Sequence, residues 1–153
     1  MRKNGAGSRD IVRTILTLPE HFEAGTLPTP AIVALRAGVE YINDYGIENI
    51  EKRLESLTEL FKERIAEFKK IEIFGAKNGI ISFRVKGYPS SYISEKLNEY
   101  DIYTRSGLHC APLMHKKLGT TDSGLVRVSL SCMTKKSDAD GIYSTLKNIL
   151  KSI

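Results

Sequence analysis

The sequence contains no tryptophan and only two cysteines, Cys110 and Cys132, among its 153 residues. Two cysteines cannot form a disulfide framework, and their scarcity fits a reducing compartment. The chain also lacks a run of about twenty apolar residues and an N-terminal signal-peptide pattern. We therefore expect a cytoplasmic protein that neither crosses a membrane nor is secreted.

The sequence also lacks a long run of residues that carry the same charge. The 23 basic and 18 acidic residues give a net charge of +5, and most of them are interleaved along the chain. Nucleic-acid binding would call for a basic stripe with stacking aromatic side chains, which the sequence does not show. With 41% hydrophobic and 27% charged residues, the composition is that of an ordinary globular protein. We expect no nucleic-acid partner.

Hydrophobic periodicity predicts a mixture of helices and strands. Apolar residues three and four apart predict helices over about 30–44, 47–69, 90–99 and 134–153. Alternating apolar residues predict strands over 71–74, 80–85, 102–105 and 125–130, the first two joined by a turn at 75–79. In the last strand Arg127 faces away from the core. This order predicts an α+β fold, a small and partly antiparallel sheet covered by helices.

The first 28 residues show little periodicity, so we predict an N-terminal arm over 1–28 and a single α+β domain over 29–153. The arm contains the glycine loop Gly5-Ala6-Gly7-Ser8 and the segment Phe22-Glu23-Ala24-Gly25-Thr26. A short glycine loop among basic residues could present N–H groups to a phosphate. The alternative is a mobile arm with no ligand.

The densest chemistry lies in the stretch Arg105-Ser-Gly-Leu-His-Cys-Ala-Pro-Leu-Met-His115. Proline suits a first helical position and glycine a helix end, so Pro112 and Gly119 predict a short helix over 112–118. Cys110 then lies just ahead of a helix N-terminus, where backbone N–H groups and the macrodipole favour a thiolate. We interpret Cys110 as a reactive thiol.

Three alternatives exist for this cysteine. It could be a small buried hydrophobe, as most lone cysteines are. It could join His109 and His115 in a metal site, although the spacing matches no known metal-binding framework. A Cys–His dyad with His109 is disfavoured, because adjacent side chains usually diverge.

Three separated motifs resemble the carboxy-terminal, small domain of the class V aminotransferases, and most closely the cysteine desulfurases. They are Arg-Ser-Gly-Leu-His-Cys-Ala-Pro-Leu at 105–113, Phe-Glu-Ala-Gly-Thr at 22–26 and Val-Arg-Val-Ser at 126–129. The resemblance implies fold type I, a pyridoxal phosphate cofactor and homodimeric full-length members. It also implies conversion of L-cysteine to L-alanine plus an enzyme persulfide.

The resemblance assigns roles residue by residue. Cys110 matches the thiol that accepts sulfur, and Arg105 and Arg127 match arginines at the substrate end of the site. A guanidinium fork suits an amino-acid carboxylate.

Gly25 and Thr26 match the segment that reaches the neighbouring cofactor phosphate across the dimer. Gly7 and Ser8 match the glycine loop near the cofactor, where Ala6 departs from the family's usual threonine.

No lysine stands where the family has its Schiff-base lysine. The resemblance therefore implies that this chain alone binds no pyridoxal phosphate and is inactive without a large domain or second subunit. The surfaces that would contact that partner are expected to be exposed and to favour a homo-oligomer. A sulfur-acceptor protein is a further expected partner. The alternatives are a standalone sulfur carrier that uses Cys110, a class V aminotransferase with another substrate, or a non-functional remnant.

Overall fold

A computed structural model describes residues 22–23 and 25–153. Within these residues there are five helices: α1 (Thr29–Tyr45), α2 (Ile47–Ala66), α3 (Ser90–Asn98), α4 (Pro112–Leu118) and α5 (Lys136–Ser152). The strands are β1 (Ile71–Lys77), β2 (Ile80–Val85), β3 (Arg105–Gly107) and β4 (Leu125–Ser129). None of the helices in this part of the chain combines the length and apolarity needed to cross a bilayer.

The four strands form one sheet in the order β1-β2-β4-β3. Each of the three neighbouring pairs is antiparallel. The predicted α+β class is therefore confirmed, and the described sheet is wholly antiparallel. The chain divides at Asp44 into two compact units, and the sheet belongs to the second unit, Tyr45–Ile153.

The core of the second unit lies between one face of the sheet and three helices. Strands β2 and β4 supply alternate buried residues, as a period of two requires. Helices α2 and α3 bury one apolar stripe each against this face, and α5 packs against both of these helices. The largest fully buried side chains are Phe61, Phe83, Leu57, Ile65, Ile81, Ile93, Leu97 and Leu146.

Helix α1 forms where the sequence predicts it, with Pro30 in its first turn. No residue of α1 is buried. Its predicted apolar stripe is exposed, and Leu35 retains 68% of its accessible surface.

The hairpin between β1 and β2 differs from the prediction. The predicted turn at 75–79 is wrong, because β1 continues to Lys77 through an irregularity between Ile73 and Gly75. The turn consists of Asn78 and Gly79, both left-handed, with φ of 49° and 81°. This is the Asn-Gly turn whose twist matches that of antiparallel strands.

Strand β3 also lies further along the chain than predicted. The predicted strand at 102–105 is wrong, since pairing with β4 covers only Arg105–Gly107. The preceding segment is held by helix α3 instead. Ile102 donates its N–H to the carbonyl of Leu97 at 3.1 Å, and Ser94 Oγ donates to the carbonyl of Thr104 at 3.2 Å.

The last helix begins two residues later than predicted. A turn precedes it, in which Ser131 N–H donates to Thr134 Oγ1 at 2.9 Å. Lys135 N–H then donates to the carboxylate of Asp138 at 2.8 Å, which caps the helix start. Helix α2 ends at Ala66 rather than near Lys69, because Glu67 is its C-cap.

Candidate functional site

Cys110 lies at the tip of a tight turn between β3 and α4. Ala111 N–H donates to the carbonyl of Leu108 at 2.8 Å, which closes a four-residue turn around His109 and Cys110. Both central residues are left-handed, with φ of 50° and 59°. Two left-handed central residues characterise a type I′ turn, which normally contains Asn-Gly. A left-handed non-glycine residue costs about 1–2 kcal/mol, so the turn holds strain while it presents the thiol to solvent.

The imidazole of His109 is fixed beside the turn. Its Nε2 lies 3.2 Å from the carbonyl oxygen of Arg105. A carbonyl only accepts, so Nε2 carries the proton and Nδ1 keeps a lone pair in the neutral ring. Burial is the main cause that lowers the pKa of His109 from its usual 6.5, and the positive charge of Arg127 adds to it. His109 is therefore a neutral hydrogen-bonding group at physiological pH.

His115 supports His109 from helix α4. The two rings lie 6.0 Å apart, and His115 is buried. His115 Nδ1 is hydrogen-bonded to Thr120 Oγ1 at 2.8 Å, and Thr120 N–H donates to the carbonyl of His115 at 2.9 Å. Gly119 is left-handed at the end of α4, which lets the chain turn back so that Thr120 reaches His115. Sequence reasoning missed this support, and the only local signal was the Gly-Thr pair after the helix.

Arg127 and Arg105 lie directly opposite each other on β4 and β3. Side chains at directly opposed positions project from the same face of the sheet, and like charges there are destabilising. The Nε of Arg127 is buried and has no hydrogen-bond acceptor among the described residues. A buried charged donor without an acceptor is costly, and an anion is the kind of group that would satisfy it.

The cluster is thus formed by the Cys110 turn, the two histidines and the two arginines. His109 connects these groups, because its ring contacts the carbonyl of Arg105 and lies 6.0 Å from the His115 ring, and the charges of Arg127, His115 and Arg105 act on it. Each of these charges lowers the pKa of His109, because protonation would add another positive charge. An anionic ligand would relieve this accumulation of positive charge.

Strand β3 is held in place just before the turn. Ser90 Oγ accepts the N–H of Gly107 at 3.1 Å, and Ser90 N–H donates to the carbonyl of Ser123 at 2.8 Å. Gly124 lies in the same junction, where an added Cβ would be 2.5 Å from Ser90 Oγ and 2.8 Å from the Gly107 Cα. The start of α3 therefore sets the position from which the cysteine turn leaves the sheet.

This junction gives a stability prediction. Gly124→Ala is expected to destabilise the chain by about 1–3 kcal/mol more than Gly119→Ala, measured by urea unfolding. Both glycines are left-handed, with φ of 61° and 66°, so both substitutions carry similar backbone strain. Only Gly124 has neighbours within 4 Å of the added Cβ. Equal losses for the two variants would contradict the tight junction.

Arg84 ties the far end of α4 to the sheet. Its guanidinium contacts Glu72 at 2.8–2.9 Å and donates from Nη1 to the carbonyl of Gly119 at 3.3 Å. It also lies 5.1 Å from the ring centroid of Phe74. The guanidinium of Arg84 thus has hydrogen-bond acceptors. The Nε of Arg127, in contrast, has none among the described residues.

The other predicted site residues are not part of this cluster. Among residues 22–23 and 25–153, no group of three or more His, Cys, Asp or Glu side chains is arranged to hold a metal ion. Gly25 and Thr26 are exposed and belong to the first unit. Gly7 and Ser8 lie outside the described residues. Their cofactor roles stay predictions.

Comparison with known proteins gives one consistent result. The family model described as aminotransferase class-V matches residues 10–142. The chain is 34% identical over 133 residues to a cysteine desulfurase of Haloferax volcanii, covering 84% of this chain and 31% of that protein. It is 30% identical over 139 residues to the cysteine desulfurase CsdA of Escherichia coli, covering 90% and 34%. The chain thus spans about a third of the length of these relatives.

Solved structures agree. The apo cysteine desulfurase of Thermococcus onnurineus superposes with a TM-score of 0.80 at 29% identity, covering 88% of this chain and 34% of that one. CsdA of Escherichia coli in its S-sulfonic acid form gives a TM-score of 0.78 at 28% identity, covering 86% and 33%.

Proposed function

Because this chain belongs to the class-V aminotransferase family, we propose that it is the C-terminal, small domain of a pyridoxal phosphate-dependent cysteine desulfurase. Relatives with this activity in their names cover most of the chain. The observation that carries the proposal is that the exposed thiol of Cys110 lies in the turn that follows β3, the strand on which Arg105 directly opposes Arg127. A thiol and an anion site together are what an enzyme needs to bind cysteine and remove its sulfur.

The described residues fit the substrate end of such an enzyme and not its cofactor end. Pyridoxal phosphate needs a lysine for its imine and a cup for its phosphate. The candidate site consists of a thiol, two arginines and two histidines, and none of these side chains forms that imine. In the complete enzyme, the cofactor would be held by residues outside this cluster. When bound by the complete enzyme, it would weaken the bond between carbon and sulfur of the substrate.

In the proposed reaction, Arg127 and Arg105 hold the carboxylate of cysteine. The buried Nε–H of Arg127 gains an acceptor, and the repulsion between the two guanidiniums falls. The sulfur atom of the substrate passes to Sγ of Cys110, which becomes a persulfide, and the remaining carbon skeleton leaves as alanine. His109, neutral and fixed by Arg105, keeps the turn in place.

The test is a chimera in which residues 25–153 replace the matching segment of E. coli CsdA. We expect it to bind pyridoxal phosphate and to release alanine and, with a reductant, sulfide from L-cysteine. The isolated chain should release neither. A folded chimera that carries the cofactor and leaves cysteine intact would contradict the proposal. Formation of a keto acid in place of alanine would instead indicate an aminotransferase with another substrate.

A further inference from the structure

His115 in α4 and Thr120 just after it form a buried pair. They retain 3% and 0% of their accessible surface, so neither side chain is placed to touch a substrate. Two hydrogen bonds join them, one between the side chains at 2.8 Å and one from Thr120 N–H to the carbonyl of His115 at 2.9 Å. Such a pair holds one geometry, because breaking either bond would leave a buried polar group unsatisfied.

The His115–Thr120 pair is connected to both ends of the cysteine turn. On the helix side, His115 N–H donates to the carbonyl of Ala111 at 3.2 Å, and Ala111 N–H closes the turn on Leu108. On the strand side, Gly124 N–H donates to the carbonyl of Thr120 at 2.9 Å, and Gly124 lies in the junction that holds β3. The start and the end of the turn are therefore both tied to the segment between α4 and β4.

The turn needs such support because His109 and Cys110 are both left-handed and neither is glycine. Strained backbone of this kind persists only where the surrounding structure holds it. The rings of His115 and His109 lie 6.0 Å apart with a tilt of 47°, within the range in which aromatic rings pack on each other. His115 is thus the contact that α4 makes with the left-handed residues.

We propose that His115 is a positioning residue for the thiol of Cys110. Held by Thr120, its ring restricts the side chain of His109, and this restriction keeps the His109–Cys110 turn in its left-handed conformation. A thiol held in one direction favours attack, because less orientation has to be gained in the reaction. The use of the thiol rests on the proposed function, whereas the effect of the pair on the turn does not require it.

Amide hydrogen exchange of the isolated chain, followed by NMR, tests the effect on the turn. The Ala111 amide reports opening of the turn, and the amides of β2 and β4 report global unfolding. Thr120→Val removes the hydroxyl that holds His115 and should make the Ala111 amide exchange at least about tenfold faster. Thr120→Ser keeps a hydroxyl, so exchange should stay within about threefold of the unsubstituted chain.

A second variant tests the contact between the two rings. His115→Asn keeps a side chain that can bond to Thr120 but lacks the ring that packs on His109. It should also make the Ala111 amide exchange at least about tenfold faster. The Gly107 amide is a control within each variant, because it donates to Ser90 Oγ and not to α4. Its exchange rate should stay nearly unchanged.

Thr58→Val is the matched control for loss of a buried hydroxyl. Thr58 is 2% exposed, and its hydroxyl bonds to the carbonyl of Leu54 in α2 and to the N–H of Gly79 in the β1–β2 turn. Thr58→Val should lower the urea midpoint as Thr120→Val does. It should leave exchange of the Ala111 amide within about threefold of the unsubstituted chain.

In the CsdA chimera, Thr120→Val should lower kcat about tenfold and leave KM for cysteine within about twofold, because the arginines that hold the carboxylate are unchanged. Unchanged Ala111 exchange in Thr120→Val or His115→Asn would overturn the proposal. So would equal acceleration at Ala111 and Gly107, equal effects of Thr58→Val and Thr120→Val on Ala111, or an unchanged kcat. Exchange is measured without cofactor or cysteine, so an unsubstituted chimera that failed to turn over cysteine would contradict the proposed function alone.

Discussion

Cys110→Ala in the CsdA chimera is expected to reduce alanine and sulfide formation from L-cysteine by on the order of 10³-fold or more. The reason is that Cys110 is the exposed thiol at the tip of the turn that follows β3. Cofactor absorbance and the unfolding midpoint should remain close to those of the unsubstituted chimera. Turnover and cofactor content are measured on the same preparation.

Cys132→Ser is the control for this prediction. It removes the other thiol of the chain, which is half-buried between β4 and α5. Turnover should stay within about twofold, since a small conservative change away from the reacting groups has little effect. If Cys110→Ala left sulfide release unchanged, the sulfur-accepting role would be lost. If Cys132→Ser also abolished release, the assignment to one thiol would fail.

Arg127→Met should make the isolated chain more stable by about 1–3 kcal/mol in low-salt buffer without added anions. Methionine retains much of the side chain's length while removing the buried Nε–H that has no acceptor. It also removes the repulsion with Arg105 across the strands. The free energy of unfolding in urea measures the gain. The same substitution in the chimera should raise KM for cysteine, because the carboxylate loses its partner.

Arg84→Met provides the matched control. Arg84 has acceptors in Glu72 and in the carbonyl of Gly119, so the same change should destabilise the chain by roughly 1 kcal/mol. The two substitutions are thus expected to change the free energy of unfolding in opposite directions. Destabilisation by Arg127→Met as large as that by Arg84→Met would mean that Arg127 is a structural residue, and the anion site would lose its main support.

Local signals predicted the elements that depend on nearby residues. Helix α4 begins at Pro112 and ends before Gly119, as the proline and glycine indicate. Strand β3 was misplaced because the hydroxyl of Ser94 holds Thr104, ten residues later, to α3, so the strand starts only at Arg105. Periodicity carries no information about such a bond.

The site could be predicted in part. Cys110, Arg105 and Arg127 were named from the sequence; in the structure Arg105 opposes Arg127 and its carbonyl contacts His109, and the roles of the three residues stay predictions. The opposition of Arg105 and Arg127 follows from the register of β3 on β4, which no local pattern specifies. The left-handed pair at His109 and Cys110 was missed because histidine and cysteine are not the residues that a type I′ turn normally contains.

The most direct test is to locate the sulfur. The chimera is allowed to turn over L-cysteine, is quenched with an alkylating agent and is digested without reductant for mass spectrometry. The peptide containing Cys110 should carry one additional sulfur atom beneath the alkyl group, and the peptide containing Cys132 should not. A turning-over chimera whose Cys110 peptide carries only the alkyl group would contradict the account.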